Sequence, residues 1–229
     1  MAFPSASSRP ITLDASREAQ VYGLFALAMG LTVLGVFVGM MYASTLLRSG
    51  YMLGFVIVEF AILLSAGWWR TQTPLNYLLF GLFPLLSGLT ITPYLMMVLT
   101  GYANGGAILI NALGTTALLS VAAAVFARMT GVNLSGLGRA LFFAVLGLLI
   151  FGILQLFVPA FQTTQFELLL SGGGVVIFAL FLAFDIQRLQ NMSRMGADPF
   201  LMALSLYLDI FNLFLYVLRF MVALSGDRR

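Results

Sequence analysis

Hydrophobic positions along the chain fall into seven long, nearly unbroken runs, at 21–47, 51–69, 77–99, 107–126, 140–158, 168–187 and 200–224, parted by short polar segments. Each run is near the roughly 20 residues that carry an α-helix across a hydrocarbon layer about 30 Å thick. The pattern therefore predicts an all-α, polytopic membrane protein with seven transmembrane helices. A polar arm at 1–20 precedes them, one transmembrane domain fills 21–224, and a short tail occupies 225–229. The first run is too long for the apolar core of a signal peptide, which predicts a retained helix. Pro84 and Pro93 predict a kink in the third run, and Gly172, Gly173 and Gly174 predict close helix contact in the sixth.

Composition narrows the chemistry. Of the 229 residues 61% are hydrophobic and 8% charged, and the mean hydropathy is +1.04. Cysteine and histidine are absent, which excludes disulfides, thiol nucleophiles, imidazole proton relays and the usual zinc and haem ligands. The net charge of +3 comes from arginine alone and sits at chain ends and loops, so no nucleic-acid surface is indicated. Arg9, Arg17, Arg70, Arg128, Arg139, Arg188 and Arg194 fall in one set of alternate loops; Arg48, Arg228, Arg229 and Arg219 fall in the other. The positive-inside rule then places the N-terminus in the cytoplasm, with the C-terminus outside after seven spans. One re-entrant run would make the count even. Short loops and the use of arginine without lysine suggest a bacterial inner (plasma) membrane.

Three carboxylates lie inside the apolar runs: Glu59 in the second, Asp185 near the end of the sixth and Asp209 in the seventh. At mid-helix a charge costs on the order of 2.5–3.5 kcal/mol to insert, so these groups are expected to face the bundle interior. At 100° per residue Ser205, Asp209, Asn212 and Tyr216 form one polar stripe on the seventh helix. Glu59 and Arg70 stand eleven residues apart on the second helix, three turns with an offset of roughly 20°, so one helix face carries both charges. Asp185 and Asp209 are equidistant from Ala197, in a turn marked by Gly196 and Pro199. An antiparallel hairpin would set them at similar depth, where two carboxylates in a low dielectric share one proton.

The segments AFDIQRLQNM (183–192) and SLYLDIFNLFLYVLR (205–219), with Glu59, Arg70 and the seven-run layout, resemble the Bax inhibitor-1 family, also called the transmembrane Bax inhibitor motif family, which has bacterial members. The resemblance implies six helices surrounding a central seventh and a pH-sensitive calcium leak. It implies that Asp185 and Asp209 act as pH sensor and pore closure, that Arg70 pairs with them, and that Glu59 lines the ion pathway. The tail lacks the long basic extension of some eukaryotic members.

Joined to the residue pattern, this gives an expected mechanism. Acid lets the aspartate pair share a proton and hold helices six and seven together; deprotonation separates them and offers oxygens to calcium. Asn212 and Tyr216 continue the ion pathway along the stripe. Two or three carboxylates fall short of the 6 to 8 oxygens of a tight calcium site, so Asp185 and Asp209 would bind calcium weakly and in transit, with no tightly bound cofactor. Lipid and calcium are the expected partners. The alternative is a regulatory role, in which the chain binds and modulates a membrane-bound protease through the arm. An intramembrane aspartyl protease needs Gly-x-Gly-Asp at its second aspartate, whereas Leu206-Tyr207-Leu208 precede Asp209, so no enzyme is expected. A proton-coupled transporter ranks lower, because no inverted repeat is visible.

Overall fold

The computed structural model describes residues 15–43, 45, 51–192 and 198–226. Most of the arm, the turn residues Gly196 and Ala197, and Arg9, Arg48, Arg194, Arg228 and Arg229 lie outside the described residues.

Residues this apolar leave the backbone no partner but itself, so the chain is helical almost throughout. Eight α-helices have defined bounds: α1 (Ala15–Met41), α2 (Tyr51–Leu64), α3 (Ala66–Trp69), α4 (Leu75–Gly101), α5 (Gly105–Met129), α6 (Gly138–Phe157), α7 (Thr164–Met192) and α8 (Pro199–Ser225). Six of them, α1 and α4 to α8, are long and apolar enough to cross a membrane. The second run differs from the single span expected of it. It divides at Ser65 into α2, with 14 residues, and the single turn α3. The break is satisfied locally: the Ser65 hydroxyl donates to the Ala61 carbonyl at 2.6 Å, and the fully buried Trp69 indole donates to the Ile62 carbonyl at 2.8 Å.

Pro84 and Pro93 both lie within the continuous helix α4. Beside Pro93 the Thr92 hydroxyl donates to the Gly88 carbonyl one turn back at 2.8 Å. Helix α4 packs closely on α1 because Gly35 and Gly88 let the two backbones touch; a Cβ on either would overlap a carbonyl oxygen of the opposite helix. The expected close approach at the α7 glycines is met at Gly172 and Gly174, which face Phe220 and Tyr216 of α8, while Gly173 faces open space.

Helix α8 starts cleanly. Asp198 caps it by accepting from the Phe200 and Leu201 amides, and Pro199 takes the first turn, where an N–H is dispensable. Its principal packing partners are α1, α4, α5 and α7. The core follows the same helix, with Ala203, Tyr207, Leu213 and Leu218 fully buried. Helices α2 and α6 stand farther out, against α4 and α7 respectively. Leu118, Phe143 and Phe157 expose 60% or more of their surface on the outside, an arrangement suited to lipid contact and not to water.

Candidate functional site

The polar stripe of α8, Ser205, Asp209, Asn212 and Tyr216, lines cavities along its length. Three cavities lie along it in series. The first, of about 340 Å³, is lined by Arg70, Arg188, Asp198, Asp185 and Ser205. The second, of about 350 Å³, shares Leu63, Asp185, Ser205 and Leu208 with the first and adds Asp209, Asn212 and Tyr216. The third, of about 870 Å³, shares Asn212 and Tyr216 with the second and opens among Gln155, Glu167 and Arg219. The ends of the series are called here the Arg70 end and the Arg219 end.

Asp185 lines both of the first two cavities, and Asp209 lines the second. Both are buried, with 6% and 4% of their surface exposed, and their carboxyl groups lie within hydrogen-bonding reach of each other. The expected pairing across the hairpin is thus realised in space. Oδ1 of Asp185 and Oδ2 of Asp209 are buried and accept no hydrogen bond, an expensive state for carboxylate oxygens unless a proton or cation joins them. The Ser205 hydroxyl also faces Asp185.

The arginine beside the pair is not the expected one. Nη1 of Arg188, one turn along α7, stands 3.7 Å from Asp185 Oδ1. Arg70 lines the same cavity, but its Nε donates to the Gly67 carbonyl, and no ion pair joins it to either aspartate among the described residues. Glu59 is elsewhere. Its carboxylate accepts from Ser87 at 2.5 Å and Thr90 at 3.2 Å, both on α4, and it lines none of the three cavities. The shared helix face expected for Glu59 and Arg70 assumed an unbroken helix, and the break at Ser65 removes that premise. Glu59 belongs instead to a set of hydroxyls around Tyr207, whose own hydroxyl meets Thr32 of α1 at 2.8 Å.

Asn212 and Tyr216 line the second and third cavities, as the stripe predicts. Asn212 donates its amide to the Leu208 carbonyl at 2.7 Å, which fixes its orientation. At the Arg219 end the structure shows a cluster that the sequence reading missed. Arg219 clasps Glu167 with two bonds, Nε to Oε1 at 2.7 Å and Nη2 to Oε2 at 2.9 Å, and bonds Gln155 at 3.0 Å. Gln155 returns a bond to Glu167 at 2.7 Å. The signal was present in Leu218-Arg219-Phe220: an arginine flanked by large apolar residues needs a counter-charge, and Glu167 stands at the matching end of the preceding helix.

Among the described residues no three acidic side chains converge as a metal cluster. The chemistry available is proton sharing between two carboxylates, and loose cation contact through their oxygens with help from Ser205 and Asn212.

Comparison with known proteins fits this architecture. The family described as Inhibitor of apoptosis-promoting Bax1 matches residues 15–226. An uncharacterized protein of Campylobacter jejuni is 31% identical over 202 residues, covering 87% of this chain and 84% of that protein. A Helicobacter pylori protein is 30% identical over 207 residues, covering 90% and 86%. The inner membrane protein YbhL of Escherichia coli K12 is 28% identical over 226 residues, covering 92% and 91%. With a match across nearly its whole length and the paired aspartates in contact, the chain belongs to the Bax inhibitor-1 family of membrane proteins.

Proposed function

We propose that the protein is a pH-sensitive leak pathway for calcium and related cations, with the Asp185–Asp209 pair as its closure. The observation that carries this is the series of cavities along the α8 stripe, interrupted where the two aspartates meet. A shared proton ties α7 to α8 through a carboxyl–carboxylate hydrogen bond. Its loss places two like charges in contact at low dielectric, which drives the helices apart and exposes oxygens that suit a hard cation. Arg188 and Arg70 are the cations facing the pair from the first cavity, and Asp198 the further acid. No tight calcium site is needed. Water, Ser205 and Asn212 complete a weak shell, which favours transit over retention.

Placement follows the same reading. With α2 and α3 together making the second crossing, the chain crosses seven times and α8 is the axis of the bundle. Arginine in alternate loops sets the N-terminus in the cytoplasm, and the name of the YbhL relative supports an inner membrane.

Calcium uptake by liposomes containing the purified protein, scanned from about pH 5 to about pH 8, tests the proposal. Uptake rises with pH, and Asp209→Asn removes that rise. Uptake that follows pH equally in both proteins, or no uptake by the folded protein at any pH, overturns it.

A further inference from the structure

The aspartate pair sits where the first two cavities meet, and the middle cavity and the one at the Arg219 end share Asn212 and Tyr216 as lining. The Tyr216 ring is held from three sides. Phe178 of α7 stacks on it at 5.5 Å between centroids. The Arg219 guanidinium lies 5.5 Å over the ring, and Arg219 is itself fixed by Glu167 and Gln155. Gly174 forms the seat: a Cβ there would overlap the ring. Stacking, cation–π attraction and a bidentate ion pair thus converge on one side chain that lies between two polar cavities.

We infer that Tyr216 is a second constriction, seated on Gly174 and latched by the Glu167–Arg219 pair, which shuts the middle cavity from the Arg219 end independently of the aspartates. The inference rests on the proposed path only in taking the cavities as a connected route. Its test therefore reads access of a water-borne reagent and not calcium flux. The native chain has no cysteine, so an introduced thiol reports without background. Leu148, which lines the middle cavity alone of the three, is replaced by cysteine and exposed to a membrane-impermeant thiol reagent from the Arg219 side. A separate Gln162→Cys variant, exposed at that end, identifies the side.

In the otherwise native protein the Leu148→Cys thiol reacts slowly. Adding Tyr216→Ala accelerates modification at least about tenfold, adding Glu167→Gln accelerates it severalfold by releasing the arginine, and adding Tyr216→Phe keeps it within about twofold because the ring and its stacking remain. Glu167→Gln also serves where the alanine variant does not fold. Equal rates in the native, Tyr216→Ala and Glu167→Gln backgrounds overturn the inference, as does a Tyr216→Phe variant as fast as Tyr216→Ala. Gated labelling without calcium uptake would sink the ion assignment and leave the constriction standing. Calcium uptake with ungated labelling would do the reverse.

Discussion

Two carboxylate clusters, one buried and one half-buried, link the same pair of helices, and they handle charge in opposite ways. At the Arg219 end the carboxylate has its counter-ion: both Glu167 oxygens accept from Arg219, and Gln155 adds a further donor. At the aspartate pair, among the described residues, two acids face each other, the one guanidinium in ion-pair range is 3.7 Å from Asp185 Oδ1 and half exposed, and two oxygens accept no hydrogen bond. A carboxylate clasped by its own arginine is a fixed fastener, because each charge has its counter-charge in contact. An acid pair that outnumbers its counter-charge changes its charge when a proton leaves. On the proposed reading the first cluster holds geometry and the second changes it.

The largest effect on stability is expected from breaking the compensated cluster. Arg219→Met leaves Glu167 charged without its partner and should cost on the order of 2 kcal/mol, below the 3–5 kcal/mol of a fully buried pair because the two side chains keep 28% and 23% exposure. Thermal unfolding in detergent should show a fall of several degrees, and adding Glu167→Gln should restore much of it. Asp209→Asn, by contrast, removes a like charge and should leave the melting temperature nearly unchanged. If Asp209→Asn destabilises as much as Arg219→Met, the contrast between fastener and switch is wrong.

Next in size is an effect confined to pH dependence. Among the described residues Arg188 is the guanidinium in ion-pair range of Asp185, and removing its positive charge in Arg188→Gln should move the midpoint of the proposed leak to higher pH. The shift should be less than about one unit, because the guanidinium is half exposed and screened. Arg70→Gln should shift the midpoint less, since Arg70 makes no ion pair with the aspartates. A larger shift from Arg70→Gln than from Arg188→Gln would restore the pairing that the family resemblance implies.

Much of this arrangement was legible in the sequence, for physical reasons. Runs of about 20 apolar residues have only one stable form in lipid, so the long helices were readable, and a hairpin through a short turn sets depth by simple counting, so Asp185 and Asp209 could be paired. The break at Ser65 was not readable. There the Trp69 indole reaches seven residues back to the Ile62 carbonyl, a side-chain contact that no periodicity encodes. The positions of Glu59 and Arg70 were misjudged with it, because phase along a helix is carried only as far as the helix runs. The Glu167–Arg219 cluster is hidden from a reading by runs, because Glu167 falls just outside the sixth run and counting Arg219 with a loop leaves its charge without need of a partner.

The smallest effect expected concerns how the aspartate helix is held at its other end. Gln187, two residues beyond Asp185, accepts from the Leu134 amide at 2.7 Å and donates to the Val132 carbonyl at 3.0 Å. It thereby ties the loop between α5 and α6 to the turn of α7 that carries Asp185 and Arg188. Two neutral hydrogen bonds of this kind, partly exposed, are worth about 1 kcal/mol together. Gln187→Ala should lower stability by about that amount and raise hydrogen exchange at Leu134. The pH midpoint of the leak should stay where it is, because no charge near the pair has changed. A moved midpoint would mean that the loop, and not the proton alone, sets the spacing of the two aspartates, and the switch would then extend to the α5–α6 connection.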